Sequence, residues 1–296
     1  MTKKASFAEL ALFLITIIWG LGFPITKIAI NYGFGPSAIM VGRFLIATIV
    51  LLIVYRKRIF PINYVAVKYG VITGVFLFFG FYFQTLGNVY TTASKNGFIT
   101  QLNIVFVPYL YFVFFKKKMD FYNIISVLIA ITGLFLLSYD KGEFAGINLG
   151  DFYTLICAIM VAFNVVTGSY FQKKHDLDPA EFVFYNILTS FVLSLCFLLL
   201  FEEITTIAIY KYWPIVFMGV LNTALGFLVQ SFALKYSLPT RVSLIVTLES
   251  VFAVIGSIII VGEEMTYGIV FGGVLIIIGV LISELKPFSR FVNNKM

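Results

Sequence analysis

An ionisable side chain at the centre of a membrane helix costs at least ~2.5 kcal/mol, so it usually faces the protein interior or water. Only three such groups lie well inside the apolar stretches of this sequence: Lys27, Arg43 and Glu249. A carboxylate there can take up a proton or hold an ammonium, and a guanidinium can clamp a carboxylate bidentately. Glu249 lies eight residues past Arg241. That is about 12 Å along a helix, close to the midplane of a ~30 Å hydrocarbon core. Two roles stand level for it. One is substrate or proton binding, which makes Glu249 the proton-coupling candidate; the other is a structural carboxylate buried against Arg43 or polar side chains. Arg43, seven residues after Pro36, reads first as a structural or snorkelling side chain and second as a clamp for a substrate carboxylate. Lys27, closer to a span end, reads as a snorkel.

Uncharged polar groups surround these three. Trp19, Gln84, Asn103, Asn164, Asn222 and Gln230 all fall within apolar spans. Amides are unfavourable against lipid, so most should point inward. With Arg43 and Glu249 they form the expected substrate-binding set. Gln84 and Gln230 read equally as glue between helices. Two basic groups, one acid and many amides describe a polar, nearly neutral cavity, suited to a zwitterion or amphipathic metabolite more than to a polyanion.

Catalytic chemistry is not indicated. The sequence has no Gly-x-x-x-x-Gly-Lys-Ser/Thr phosphate loop. Its single histidine, His175, stands among Lys173, Lys174, Asp176 and Asp178 and reads as a solvated loop residue. No His, Cys and carboxylate cluster has metal-ligand spacing, and Cys157 and Cys196 read as two buried thiols. The expectation is a protein without catalytic residues, metal or cofactor, and not an enzyme.

The elements that carry these residues are membrane helices. The chain is 60% hydrophobic and 12% charged, with mean hydropathy +1.00; a soluble domain carries about 25% charged residues. Apolar runs near ~20 residues predict ten spans at 8–30, 36–55, 66–89, 94–115, 121–138, 150–171, 181–200, 211–235, 240–261 and 266–284. The start reads as a retained first helix rather than a signal peptide. Pro24 and Pro108 lie inside spans and should kink or loosen them. The net charge of +7 is scattered over loops and forms no basic groove, which excludes nucleic acid as a partner. With both termini in the cytoplasm, sixteen basic residues fall inside and three (Lys95, Lys141, Lys211) outside. Acidic Asp140, Glu143, Asp151, Glu202, Glu203, Glu263 and Glu264 then lie outside.

The sequence also repeats itself. Residues 79–138, moved forward by 146 positions, fall on 225–284 without a gap. Gly80-Phe81-x-x-Gln84 lands on Gly226-Phe227-x-x-Gln230, Tyr90 on Tyr236, and Gly133 on Gly279. Loop charge reverses between the copies: Lys116-Lys117-Lys118 becomes Gly262-Glu263-Glu264. An odd number of spans per copy turns the second copy over, an arrangement known from secondary transporters. The predicted fold is therefore an all-α polytopic membrane protein, its ten transmembrane helices forming two inverted five-helix repeats, 1–139 and 140–296.

Several motifs resemble one family. They are Trp19-Gly20, Pro36 with Arg43, Pro239-Thr240-Arg241, Leu248-Glu249-Ser250-Val251-Phe252-Ala253 ending in Gly262-Glu263, and the Gly268 to Gly279 spacing. Together they resemble EamA-type members of the drug/metabolite transporter superfamily over nearly the whole chain. The sequence differs in having Ser250 where the family often has proline, and Val161-Ala162 at the second-half match to Trp19-Gly20. The resemblance implies alternating-access transport of a small organic solute, an amino acid or similar metabolite, across the plasma membrane, with export the expected direction. Nucleotide sugars and drugs are the alternative substrates within that superfamily. An intramembrane enzyme or a channel is the reading from outside it. The expected partners are the small-molecule substrate, the lipid bilayer and, at Gly268-x-x-x-Gly272, a second copy of the chain as a candidate.

Overall fold

This computed structural model describes residues 3–116, 121–137, 139–140, 143–144, 147–203, 206–236, 242 and 245–285. Lys117, Lys118, Lys141, Pro239, Thr240, Arg241, Lys286, Arg290 and Lys295, which entered the charge or motif readings, lie outside the described residues.

Helix starts follow local chemistry. α1 spans Lys3–Asn31, and α2 (Pro36–Ile59) opens on a proline, whose missing N–H costs nothing at that position. The Asn63 side chain caps α3 (Tyr64–Tyr90) and Thr92 caps α4 (Ala93–Thr100). α5 (Asn103–Phe115) and α6 (Phe121–Leu137) follow. A two-residue antiparallel pairing of β1 (Tyr139–Asp140) with β2 (Glu143–Phe144) leads to α7 (Leu149–His175), which begins with a reciprocal capping box between Asn148 and Asp151. α8 (Pro179–Phe201) is capped by Asp178. α9 (Trp213–Phe217), α10 (Gly226–Tyr236), α11 (Glu249–Gly256) and α12 (Tyr267–Leu285) complete the set among the described residues.

Seven helices are long and apolar enough to cross a membrane, and three shorter apolar ones, Ile124–Leu137, Ile245–Val261 and Tyr267–Ile282, accompany them. The chain is a multi-pass, helical membrane protein. Three of the expected single spans are interrupted. The span at 94–115 divides at Gln101–Leu102 into α4 and α5. The span at 211–235 passes through a π-helical stretch, Met218–Leu225. The span at 240–261 breaks at Leu248 and ends in a second π-helical stretch, Ser257–Val261. At both breaks the hydrogen bonds tighten to three-residue steps: Leu102 N–H donates to Ile99 O, and Leu248 N–H to Ile245 O, each at 3.1 Å. Hydropathy averaged over a whole span does not register such a break, although polar residues flank it: Thr100, Gln101 and Asn103 at the first, Thr247, Glu249 and Ser250 at the second. Pro24 and Pro108, by contrast, lie within helices that continue through them.

α3 runs along α7 and α8, α2 along α8, and α6 along α12. One apolar cluster (Phe44, Leu51, Phe78, Ile187) joins α2, α3 and α8; another (Ile99, Val105, Leu137, Ile276) joins α4, α5, α6 and α12. Lipid tails are as apolar as leucine, so close packing rather than water exclusion holds these contacts. The α6–α12 contact depends on Gly133 and Gly272, whose missing side chains let the backbones meet. Gly272, offered above as a face between copies, is thus packed within the chain.

The two ends of the bundle differ in charge. At the acidic end, Glu202 meets the start of α2, Glu263 the start of α4, and Asp151 meets Thr91. At the basic end, Arg58 pairs with Asp178 at 3.3 Å and Glu181 accepts from Asn63.

Candidate substrate-binding cavity

A partly open cavity lies among α1, α2, α3, α4, α5, α7, α10, α11 and the first π-helical stretch. Trp19, Arg43, Gln84, Asn103, Asn164, Asn222, Gln230 and Glu249 all line it. All eight residues of the expected substrate-binding set therefore border one space. Its walls are also aromatic and aliphatic: Phe23, Leu77, Phe81, Val161, Val165, Phe227 and Val246.

The two helix breaks supply the centre of this site. Asn103 is the first residue of α5 and Glu249 the first of α11. A carboxylate at a helix start lies against the positive end of the helix dipole, which favours it there. Glu249 Oε2 accepts a hydrogen bond from Gln101 Nε2 at 3.1 Å, across from the other break. Asn103 does not reach it; its Nδ2 donates to Thr100 O at 2.8 Å and closes its own break. Of the structural alternative for Glu249, burial against Arg43 or polar side chains, the partner found is the polar side chain of Gln101 and not Arg43: among the described residues neither Glu249 nor Arg43 forms an ion pair.

Arg43 is 3% exposed, so it neither snorkels nor pairs with a carboxylate. Its Nε and Nη2 donate to Thr223 Oγ1 at 3.1 and 3.0 Å, and Nη2 also to Asn222 Oδ1 at 2.8 Å. The guanidinium carbon lies 4.3 Å from the Phe81 ring centroid. The π-helical turn brings Asn222 and Thr223 to this position. Such turns are rare and recur at functional sites. Trp19 Nε1 fixes the turn by donating to Asn222 O at 2.7 Å, and Asn222 Nδ2 donates to Ile18 O at 3.2 Å. Gly226 makes room for the indole and Gly22 for the Asn222 amide; a Cβ at either would collide with them. Gly20 likewise packs on α11. These α1 glycines sit at close helix contacts.

The remaining amides divide. Asn164 Nδ2 donates to Thr73 O at 2.8 Å, a bond between α7 and α3. Gln84 Nε2 lies 3.5 Å from Thr100 Oγ1. Gln230 presents its amide to the cavity without a partner among the described residues. Gln101 is the polar partner that the sequence reading lacked. Gln101 stands two residues before Asn103 inside the same apolar span, and its depth alone could have flagged it.

Three other readings change. Lys27 does not snorkel. Its Nζ donates to the carbonyls of Asn88 at 2.6 Å and Thr91 at 3.0 Å, where α3 ends and free carbonyls favour a cation. His175 ends α7 and stacks on Tyr69 with ring centroids 4.6 Å apart, so it is not a solvated loop residue. Cys157 is buried, but Cys196 is exposed on α8.

A bundle of membrane-crossing helices around one polar cavity is the architecture of a solute transporter. The model of the EamA-like transporter family matches residues 6–139 and 148–285, and the chain belongs to that family. It is 30% identical over 287 residues to a protein of Archaeoglobus fulgidus named "uncharacterized transporter", covering 96% of this chain and 87% of that one. It is 22% identical to the transporter YoaV of Bacillus subtilis, over 93% of this chain and 96% of that one. A solved crystal structure shares the fold with TM-score 0.69 at 15% identity, over 99% of both chains. The protein is accordingly a membrane transporter.

Proposed function

We propose that this transporter carries a zwitterionic, amino-acid-like solute across the plasma membrane, in the export direction. One observation carries the reading. A buried guanidinium, Arg43, and a carboxylate, Glu249, line one cavity, and neither has a counter-ion among the described residues. Uncompensated buried charge is costly, and a zwitterion would compensate both. Its carboxylate would lie against Arg43 and its ammonium against Glu249, with its apolar part against Phe81 and Phe227. A single cation is a poor match for a nucleotide sugar's phosphates.

The two stretches matched by the family model, the 146-residue offset and the equivalent breaks at Leu102 and Leu248 support two inverted repeats. In that frame the halves rock about the cavity and expose it alternately. The charge bias supports placing the basic end and both termini in the cytoplasm. Glu249 is the group for proton coupling, its carboxylate held among the described residues by Gln101.

Thermal-shift measurements on purified protein test the two-point reading, because a ligand of the folded state raises its melting temperature. Amino acids are compared with amines lacking the carboxylate and acids lacking the ammonium. Stabilisation by the intact amino acid and by neither fragment is expected. Equal stabilisation by an amine alone rejects the Arg43 contact. Concentrative movement in proteoliposomes separates a transporter from a channel.

A further inference from the structure

Between the cavity and the acidic end lies a small apolar plug. Phe23 of α1, Ala93 of α4 and Ala253 of α11 form a buried cluster, and Gly97 of α4 packs on Ala253 and Phe23. α4 is only eight residues long, Ala93–Thr100, and the break at Gln101–Leu102 separates it from α5. It is a half-helix with a joint at its inner end.

Its outer end is held by one side chain from the far part of the chain. Glu263 Oε1 accepts from Ala93 N–H at 2.7 Å. Its Oε2 accepts from Ser94 N–H at 3.1 Å and from Ser94 Oγ–H at 2.6 Å. These are charge-assisted bonds at a helix N-terminus, the strongest kind available there. The carboxylate is presented by a fixed turn: Gly262 has φ +73°, and Glu263 N–H donates to Ser257 O at 3.2 Å. Lys27, anchored on the end of α3, adds an attractive charge nearby.

Glu202 caps α2 in the same way, accepting from Ser37 and Ala38 N–H at 2.7 and 3.3 Å. That helix pair, α2 with α8, is also tied at its basic end by Arg58–Asp178. It is fastened at both ends and suits a scaffold. The latch on α4 is made within the described residues by Glu263 alone from the far part of the chain, and the residue 146 positions before it is a lysine, Lys117, so the carboxylate has no acidic counterpart in the first half of the sequence.

We propose that Glu263 is a gating residue: it latches α4 over the acidic end of the cavity, so the resting protein opens preferentially toward its basic end. The proposal rests on alternating access, but its test reads access and not transport. A Val161→Cys reporter lines the cavity, in a background with Cys157→Ala and Cys196→Ala. It is labelled with a small membrane-impermeant methanethiosulfonate, applied separately to each face of oriented proteoliposomes. Faster labelling from the basic end is expected without further change. Glu263→Ala should raise the rate from the acidic end by about tenfold or more, since several bonds to one charge are lost. Labelling from the basic end should persist, which shows that the variant is folded. Gly262→Ala, strained at its positive φ, should move the ratio the same way by a smaller factor. Labelling from both ends with an unchanged ratio in Glu263→Ala overturns the latch and leaves alternating access standing. Labelling from one end only in every variant overturns both.

Discussion

The break at Gln101–Leu102 and the break at Leu248 share a backbone form and differ in chemistry. Each interrupts a membrane helix with a three-residue hydrogen-bonded step, and each leaves a polar residue at the head of the next half-helix. In the first, Asn103 turns back and donates to Thr100 O, so the freed carbonyl is satisfied locally. In the second, Glu249 makes no bond back to its own break among the described residues. It reaches across the cavity side of the bundle and accepts from Gln101 instead. An amide closes its own break; a carboxylate leaves its break dependent on whatever arrives. The same scaffold thus supplies one structural joint and one responsive joint.

The largest expected effect breaks that distinction outright. Glu249→Gln places an amide at both breaks. Transport driven by a pH gradient should fall at least about 100-fold, the loss expected when a group essential for proton transfer is removed, while the protein stays in the membrane with unchanged elution on size exclusion. Retained pH dependence in proteoliposomes would show that Glu249 is structural. Next in size is Arg43. In Arg43→Lys the charge survives, but the planar fork that binds Thr223 and Asn222 is lost. Ligand affinity, read by thermal shift or calorimetry, should weaken about tenfold, one bond to a charged group. Arg43→Met should weaken it further with little cost to stability, because an uncompensated buried charge is removed along with its bonds. A destabilised Arg43→Met protein with normal affinity would make Arg43 a packing element.

The sequence carried the membership of this site better than its wiring. All eight polar candidates line the cavity because the rule behind them, that lipid excludes amides and charges, acts on every membrane helix alike. Pairing follows a finer geometry. Trp19 meets Asn222 only because Met218–Leu225 winds as a π-helix, and no residue type in Met-Gly-Val-Leu-Asn-Thr-Ala-Leu announces that winding. Lys27 finds its partners off its own helix, in the carbonyls that end α3, and only packing brings them beside it. Gln101 was passed over although it is as deep as Asn103, its near neighbour. The family and the helical membrane fold were readable because hydropathy and glycine spacing are local. The breaks were not, because a three-residue step costs little and leaves composition unchanged.

Smaller changes sharpen the comparison. Trp19→Phe keeps an aromatic wall and removes the donor to Asn222 O, so the π-turn loses one clamp. Interhelical hydrogen bonds in membranes average ~0.6 kcal/mol, which predicts a melting temperature lower by a few degrees at most. The Arg43 donors should loosen with it, giving a two- to threefold weaker ligand, on the order of that same energy. Asn103→Ala is the counterpart at the structural joint. It frees Thr100 O and should cost about the same stability, yet leave the pH dependence of transport where it was, because Glu249 still has Gln101. Should Asn103→Ala shift that pH dependence as strongly as Gln101→Leu does, the two breaks would act as one unit, and the division between a structural and a responsive joint would have to be abandoned.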